Sequence, residues 1–261
     1  MKREIYMKTF RKISRFVLIL AWLPIIGVVS FFVHIGGWGA IRRVSKCTRI
    51  WGKGIAWLWG IRTTLHGDIS DFKGGLILAN HTGYLDILVC ASLFPIRFAP
   101  KKEIKSWPLL GWYLGISRPV WVDRKNPAGS KKVMEDFRDT MKHGIPLLVY
   151  PEGTSSDGVT ALLPFKSTPF EAVCETGYPI LPILIYYHTL EDGTRVGWHG
   201  TQKLMPNVWH MLEVPRIRAD VYVLPQIHPQ PGESRKELSR KAYEMMNTEY
   251  LRILKENASE L

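Results

Sequence analysis

The stretch LILANHTGYLDILV, from Leu76 to Val89, sets a histidine, His81, and five residues later an aspartate, Asp86, between two apolar runs. LILA is apolar at every position, as in a strand buried on both faces, and the residues from Leu85 to Leu93 carry helical patterning. Regular structure would keep the two polar groups apart. Five residues turn about 500° around a helix and leave the side chains about 140° from each other, while on a strand they fall on opposite faces. A turn removes the conflict: the strand ends at Asn80, His81 lies in the connection, Gly83 permits an unusual backbone angle, and Asp86 enters the first turn of the next helix. The carboxylate can then fold back onto one imidazole nitrogen and free the other, which makes a positioned general base. The plainer alternative is a histidine that is merely hydrogen-bonded at a strand end. The chain has no Gly-x-Ser-x-Gly elbow to supply a nucleophile, so a base here would act on a hydroxyl of the substrate.

Further apolar, β-rich runs follow at Arg97 to Ala99, Val120 to Val122, Pro146 to Tyr150, Ile180 to Tyr187 and Ile217 to Leu224, with helical patterning at Ala128 to Lys142 and Thr168 to Glu175. Strands apolar throughout and alternating with helices predict an α/β fold with a mostly parallel mixed sheet flanked by helices. Near the end, Ser234 and Glu237 have capping-box spacing, and Leu238, Ala242, Met245, Met246, Tyr250 and Ile253 recur as a packing stripe.

No residue from Phe16 to Ile41 carries a formal charge, the length at which a membrane-embedded helical segment becomes the expectation. A cleaved signal peptide fits less well, because no small-x-small site follows the apolar run. Lys2, Arg3, Lys8, Arg11, Lys12 and Arg15 precede the run, and Arg42, Arg43, Lys46, Arg49 and Lys53 follow it. Both flanks therefore ask for the cytoplasmic side, which a re-entrant or in-plane pair of helices satisfies and one straight span does not. Pro24 and Gly27 favour a kink within the run. Val44 to Arg62, with Trp51, Trp57 and Trp59 among basic residues, reads as an interfacial amphipathic helix. The expected division is residues 1–62 as the membrane segment, re-entrant or singly spanning, and 63–261 as one catalytic domain.

A formal charge of +12 suits any anionic partner. Nucleic acid is set aside, because the basic residues crowd beside the apolar segment and no nucleic-acid motif follows. Cys47, Cys90 and Cys174 form no Cys-x-x-Cys pair and the eight histidines are scattered, so neither a disulfide framework nor a metal site is expected.

Four blocks in order resemble the glycerolipid acyltransferase family that includes the 1-acylglycerol-3-phosphate (lysophosphatidic acid) acyltransferases, whose mark is His-X4-Asp. Asn80, His81 and Asp86 match the first block, and Val122, Asp123 and Arg124 match the second. Pro151, Glu152, Gly153, Thr154 and Ser155 match the third, and LPILI from Leu181 to Ile185 the fourth. Lys102 in KKEIKSWPLLGW and Lys166 in PFKS add smaller echoes. The resemblance covers roughly Leu76 to Ile185 and implies that His81, oriented by Asp86, takes the proton of a lysolipid hydroxyl as it attacks the thioester of acyl-CoA or an acyl carrier protein. No cofactor beyond that co-substrate is implied. Amides near Gly153 and Thr154 would hold the oxyanion. Lys102, Arg124 and Lys166, with Glu152 and Ser155 nearby, would bind the acceptor. The first acceptor implied is 1-acylglycerol-3-phosphate, giving phosphatidic acid. Ser155 departs from the family's usual Arg, and PEGTSSDG, LPFKS and WHGTQKLMPNVWHML look like relatives that acylate lyso-ornithine lipid, so that lipid is the alternative. A non-catalytic lipid-binding relative is a third reading, against which the retention of both His81 and Asp86 counts. A bacterial inner membrane, with the catalytic domain on its cytoplasmic face, is the setting the resemblance implies.

Overall fold

The computed structural model describes residues 2–32, 36–108, 110–123 and 127–257. The chain opens with two long helices, α1 (Lys2–Phe32) and α2 (Gly37–Trp59). Arg15 of α1 lies against Gly60 and Trp22 against Gly54, so the pair runs antiparallel. Pro24 sits inside α1, which continues through it as one helix. The stretch Arg3–Phe32 is long and apolar enough to cross a membrane by length and composition, with only 11% of its most apolar window buried. Most of that apolar surface therefore has no protein partner.

α2 differs from the interfacial helix expected between Val44 and Arg62. It stops at Trp59, where Gly60 takes a left-handed conformation (φ 80°) that ends a helix readily. It also buries Val44, Cys47, Ile55, Ala56 and Trp59, while Trp57 stays 67% exposed. Gly52 explains how closely α2 approaches α3 (Leu85–Leu93), since a Cβ there would stand 2.6 Å from the backbone of Ala91. Strand β1 (Ile61–His66) begins at once, so the expected boundary after residue 62 falls inside a strand.

The remaining strands are β2 (Leu76–Ala79), β3 (Arg97–Phe98), β4 (Leu147–Val149), β5 (Ile180–Tyr187) and β6 (Ile217–Val223). They form one sheet in the order β1-β6-β5-β2-β4-β3. Every neighbouring pair is parallel except β5 with β6, which gives the mostly parallel mixed sheet. Alternate residues feed two cores. Ile77, Ala79, Leu181 and Ile183 pack with α2 and α3. Leu76, Leu78, Ile180 and Leu184 pack under α5 (Pro127–Lys142), α6 (Glu171–Thr176) and α8 (Arg235–Glu256). The Ser234 side chain and the Glu237 carboxylate cap α8 reciprocally.

Val120 to Val122 forms no strand. Val120 donates to Phe98 O and Val122 to Pro100 O, but Pro100 and Pro119 have no N–H, so the ladder shrinks to one bridge between Lys101 and Val122. Two short helices were not legible in the sequence, α4 (Leu110–Ile116) and α7 (Leu204–Met211). Basic residues of α1 hold the segment after α7. Arg11 Nη1 donates to Glu213 O at 2.6 Å, Lys12 pairs with the Glu213 carboxylate, and Arg15 donates to Val214 O and Pro215 O. Arg11, Lys12 and Arg15 are thus partly used within the protein, where the charge pattern alone read them as a cytoplasmic flank of the apolar run.

Candidate active site

β2 lies between β5 and β4, and all three run parallel, so their carboxyl ends share one edge of the sheet. In open α/β sheets that edge is where ligands are bound. Asn80, the first residue past β2, is fully buried and ties the edge together: its amide donates to Ile185 O at 3.0 Å and accepts from Ile185 N–H at 2.7 Å. His81 follows, with its own N–H donated to Glu152 Oε1 at 2.8 Å.

Asp86 folds back as the spacing requires. Its Oδ2 lies 2.8 Å from His81 Nδ1 and also accepts from Thr82 N–H at 2.6 Å and Gly83 N–H at 2.9 Å. Its Oδ1 accepts from the Thr82 hydroxyl at 3.0 Å. The carboxylate is 0% exposed and so fully enclosed by donors, the condition under which a buried charge is tolerated. Because Oδ2 can only accept, His81 Nδ1 carries the proton and Nε2 is left as the basic nitrogen. The imidazole stacks on the ring of Tyr150 at 4.2 Å. Burial raises the Tyr150 hydroxyl far above the usual phenol range, and burial likewise raises the neighbouring Cys90 thiol, so both stay neutral beneath the dyad.

Gly83 is required for a reason other than the one its position suggested. Its φ is not positive; a Cβ there would stand 2.9 Å from the amide nitrogen of Trp198. Trp198 N–H donates to Thr82 O at 2.8 Å. Tyr84 OH donates to Asn207 Oδ1 at 2.9 Å, and Asn207 Nδ2 donates to Gly197 O at 2.9 Å. The segment from Gly197 to α7 is therefore fastened directly onto the turn that carries His81 and Asp86. Sequence reasoning singled out this segment by likeness but did not find Trp198, Asn207, Tyr150 or Thr82 as parts of the site.

The block after β4 comes to the same edge. Glu152 is 3% exposed, and its oxygens accept from His81 N–H and, at 2.9 Å, from Leu163 N–H, so it braces two backbone segments. Burial pushes its carboxyl above the usual range, against the lowering effect of those amides. Ser156 N–H donates to His81 O at 2.8 Å. Gly153 N–H is engaged with Tyr150 O at 3.1 Å, closing the turn, whereas among the described residues the amides of Thr154 and Ser155 have no partner. Lys166 holds Pro151 O through its backbone N–H and leaves its side chain exposed. Lys102 lies beyond β3 on the same edge, with its ammonium 2.9 Å from Asp123. Arg124 lies outside the described residues. Among the described residues, no group of three or more His, Cys, Asp or Glu stands where it could hold a metal ion.

This geometry coincides with four likenesses. Residues 62–186 match the family model described as Acyltransferase. The chain is 32% identical over 188 residues to a lyso-ornithine lipid O-acyltransferase of Rhodobacter capsulatus, covering 69% of this chain and 67% of the relative. It is 29% identical over 191 residues to a 1-acyl-sn-glycerol-3-phosphate acyltransferase of Limnanthes alba, covering 72% of this chain and 66% of the relative. Its fold is similar to the crystal structure of the 1-acyl-sn-glycerophosphate (LPA) acyltransferase PlsC from Thermotoga maritima, with a TM-score of 0.63 and 22% identity over 93% of this chain and 97% of that one. With the motif blocks in order on one fold, the chain belongs to the glycerolipid acyltransferase family, the O-acyltransferases marked by His-X4-Asp.

Proposed function

We propose that this protein transfers a fatty acyl group from a thioester, acyl-CoA or acyl carrier protein, to the hydroxyl of a lysolipid at a membrane surface. The observation that carries the reading is the His81–Asp86 pair, with Asp86 enclosed by four donors so that Nε2 of His81 is the free base. His81 Nε2 takes the hydroxyl proton as the lysolipid oxygen attacks the thioester carbonyl. The resulting tetrahedral intermediate collapses, the C–S bond breaks, and the thiolate leaves with the proton from His81. No covalent acyl-enzyme and no cofactor enter, and holding two substrates together supplies much of the rate. The unpartnered amides of Thr154 and Ser155 serve as oxyanion donors.

Lyso-ornithine lipid is the acceptor we favour. Support comes from Ser155 in the position where a phosphate-binding Arg is usual, and from the 32% identity with the Rhodobacter capsulatus lyso-ornithine lipid O-acyltransferase. Lysophosphatidic acid is the second reading, favoured by the Val122-Asp123-Arg124 block and by Lys102 and Lys166 near the same edge. The exposed apolar surface of α1 supports membrane association, with the catalytic edge facing the cytoplasm under the positive-inside rule. Purified protein offered lyso-ornithine lipid, lysophosphatidic acid and lysophosphatidylcholine, each with CoA and carrier-protein donors, decides among these. A diacyl ornithine lipid as main product supports the first reading, phosphatidic acid supports the second, and acylation of none of the three sinks both.

A further inference from the structure

The edge that carries His81 continues beyond β5 to the starts of β6 and β1, because β6 runs antiparallel to β5 and β1 runs parallel to β6. A groove of about 790 Å³ lined by His188, Arg216 and Arg218 opens there. A second hollow of about 460 Å³ shares those three residues and adds Arg62. A third of about 300 Å³ shares Arg62 and Arg216 and reaches Arg15, Leu18 and Trp57. Shared walls make the three one trough, cationic along its middle and apolar where it meets α1 and α2.

Part of this charge has no partner among the described residues. Arg62 and Arg218 are direct partners in the β1–β6 register, an arrangement in which like charges repel. Among the described residues, the side chains of Arg62 and Arg216 make no ion pair or hydrogen bond, and both residues are exposed. Two carboxylates line the trough. Asp220 is engaged by His188 at 3.0 Å and lies 3.6 Å from His66, and Glu191 sits at the far end. Unpaired guanidinium forks suit a phosphate, which they can grip at two points. The apolar end selects the kind of phosphate: Leu18 is 51% and Trp57 67% exposed, and Leu18 belongs to the helix long enough to cross a membrane.

We propose that this trough is a second lipid site, on the same edge as His81 but lined by neither His81 nor Asp86, that seats the phosphate of an anionic membrane phospholipid between Arg62 and Arg216, with an acyl chain laid along Leu18 and Trp57. It requires α1 to lie at a bilayer, as proposed above, but not that the protein transfers acyl groups. The bound headgroup would hold the catalytic edge at a fixed height against the membrane.

The test is thermal unfolding of the full-length chain in a neutral detergent, with phosphatidylglycerol, phosphatidylcholine or inorganic phosphate added. Phosphatidylglycerol raises the midpoint of the parent more than phosphatidylcholine does, since a ligand of the native state stabilises it by mass action. The Arg62→Gln/Arg216→Gln double variant loses most of that difference, while a charge-matched Lys236→Gln/Lys241→Gln control on α8 and the His81→Ala variant keep it. An equal response to both lipids, an undiminished response in the double variant, an equal loss in the α8 control, or the same rise from inorganic phosphate alone overturns the proposal. Pelleting of the parent with phosphatidylglycerol vesicles reads the membrane role of α1 separately, and acyl transfer reads the catalytic function separately.

Discussion

Replacing Asp86 by Asn separates the two services the carboxylate gives to His81. In serine proteases the equivalent change lowers kcat about 10⁴-fold because the wrong imidazole tautomer is held. Here the environment dictates otherwise. The Oδ2 position receives two backbone amides, Thr82 N–H at 2.6 Å and Gly83 N–H at 2.9 Å, besides His81 Nδ1 at 2.8 Å. An amide NH2 in that position would face three donors, so the Asn oxygen takes it. The NH2 group then turns to the Thr82 hydroxyl, which can rotate to accept. The Nδ1–H tautomer survives and only the negative charge is lost. Two unit charges about 4 Å apart at an effective dielectric of about 20 interact by about 4 kcal/mol, which bounds the loss of imidazolium stabilisation in the transition state at about 10³-fold in kcat. The Asp86→Asn enzyme should therefore lose about 10²- to 10³-fold in kcat, unfold at close to the parent's denaturant midpoint, and show the Nδ1–H tautomer by ¹⁵N NMR of His81. A fall of 10⁴-fold or more accompanied by an Nε2–H imidazole, or a rate within a factor of three of the parent, would refute the reasoning.

Three further changes probe the frame around the dyad. Asn80→Ala orphans the buried N–H and C=O of Ile185, at about 1–3 kcal/mol each, so urea unfolding should show a loss of about 2–6 kcal/mol; a loss below about 1 kcal/mol contradicts the pairing. Gly83→Ala puts a methyl 2.9 Å from Trp198 N, and overpacking of this kind costs about 1–3 kcal/mol; unchanged stability would mean that the 197–207 segment is not fastened there. Glu152→Gln sets an amide NH2 against the N–H of His81 or Leu163, and should destabilise by about 1–3 kcal/mol at neutral pH. Burial holds the folded pKa of Glu152 above its ordinary 4.5, so the parent's contribution from this group is complete below that value and is lost as pH rises through the folded one. The stability gap between parent and Glu152→Gln should consequently widen from pH 8 to pH 4, and a gap that narrows would reverse the sign of the effect.

Local features of the chain made much of this legible. Runs apolar at every position marked β2, β4 and β5, and α3 spans Leu85–Leu93 as its patterning indicated, because burial on both faces leaves a composition that polar segments cannot imitate. β1 escaped notice, since IRTTLH is short, half polar and fused to an amphipathic helix; its identity comes from pairing with β6, more than 150 residues away. α7 was hidden by Pro206 and by flanking polar residues. At the site, the pairing of His81 with Asp86 followed from one turn. The Glu152 brace, the Tyr150 stack and the Trp198–Asn207 fastening join residues 71 to 123 positions apart, or rings across two strands, and leave no periodic trace. The fold also changes what a truncation would do. Cutting at Ile61, which the apolar leader invites, would remove Val44, Ile55 and Trp59 from contacts that bury them almost completely.

The central claim, that His81 is the base for acyl transfer to a lysolipid hydroxyl, is tested most directly by one comparison. Purified parent and His81→Ala proteins are each given a thioester donor and lyso-ornithine lipid, and the diacyl product is counted by mass spectrometry over time. A positioned general base contributes about 10²- to 10⁴-fold, so His81→Ala should retain its unfolding midpoint and lose at least 10²-fold in rate. A folded His81→Ala protein that acylates the lysolipid at the parent's rate would contradict it.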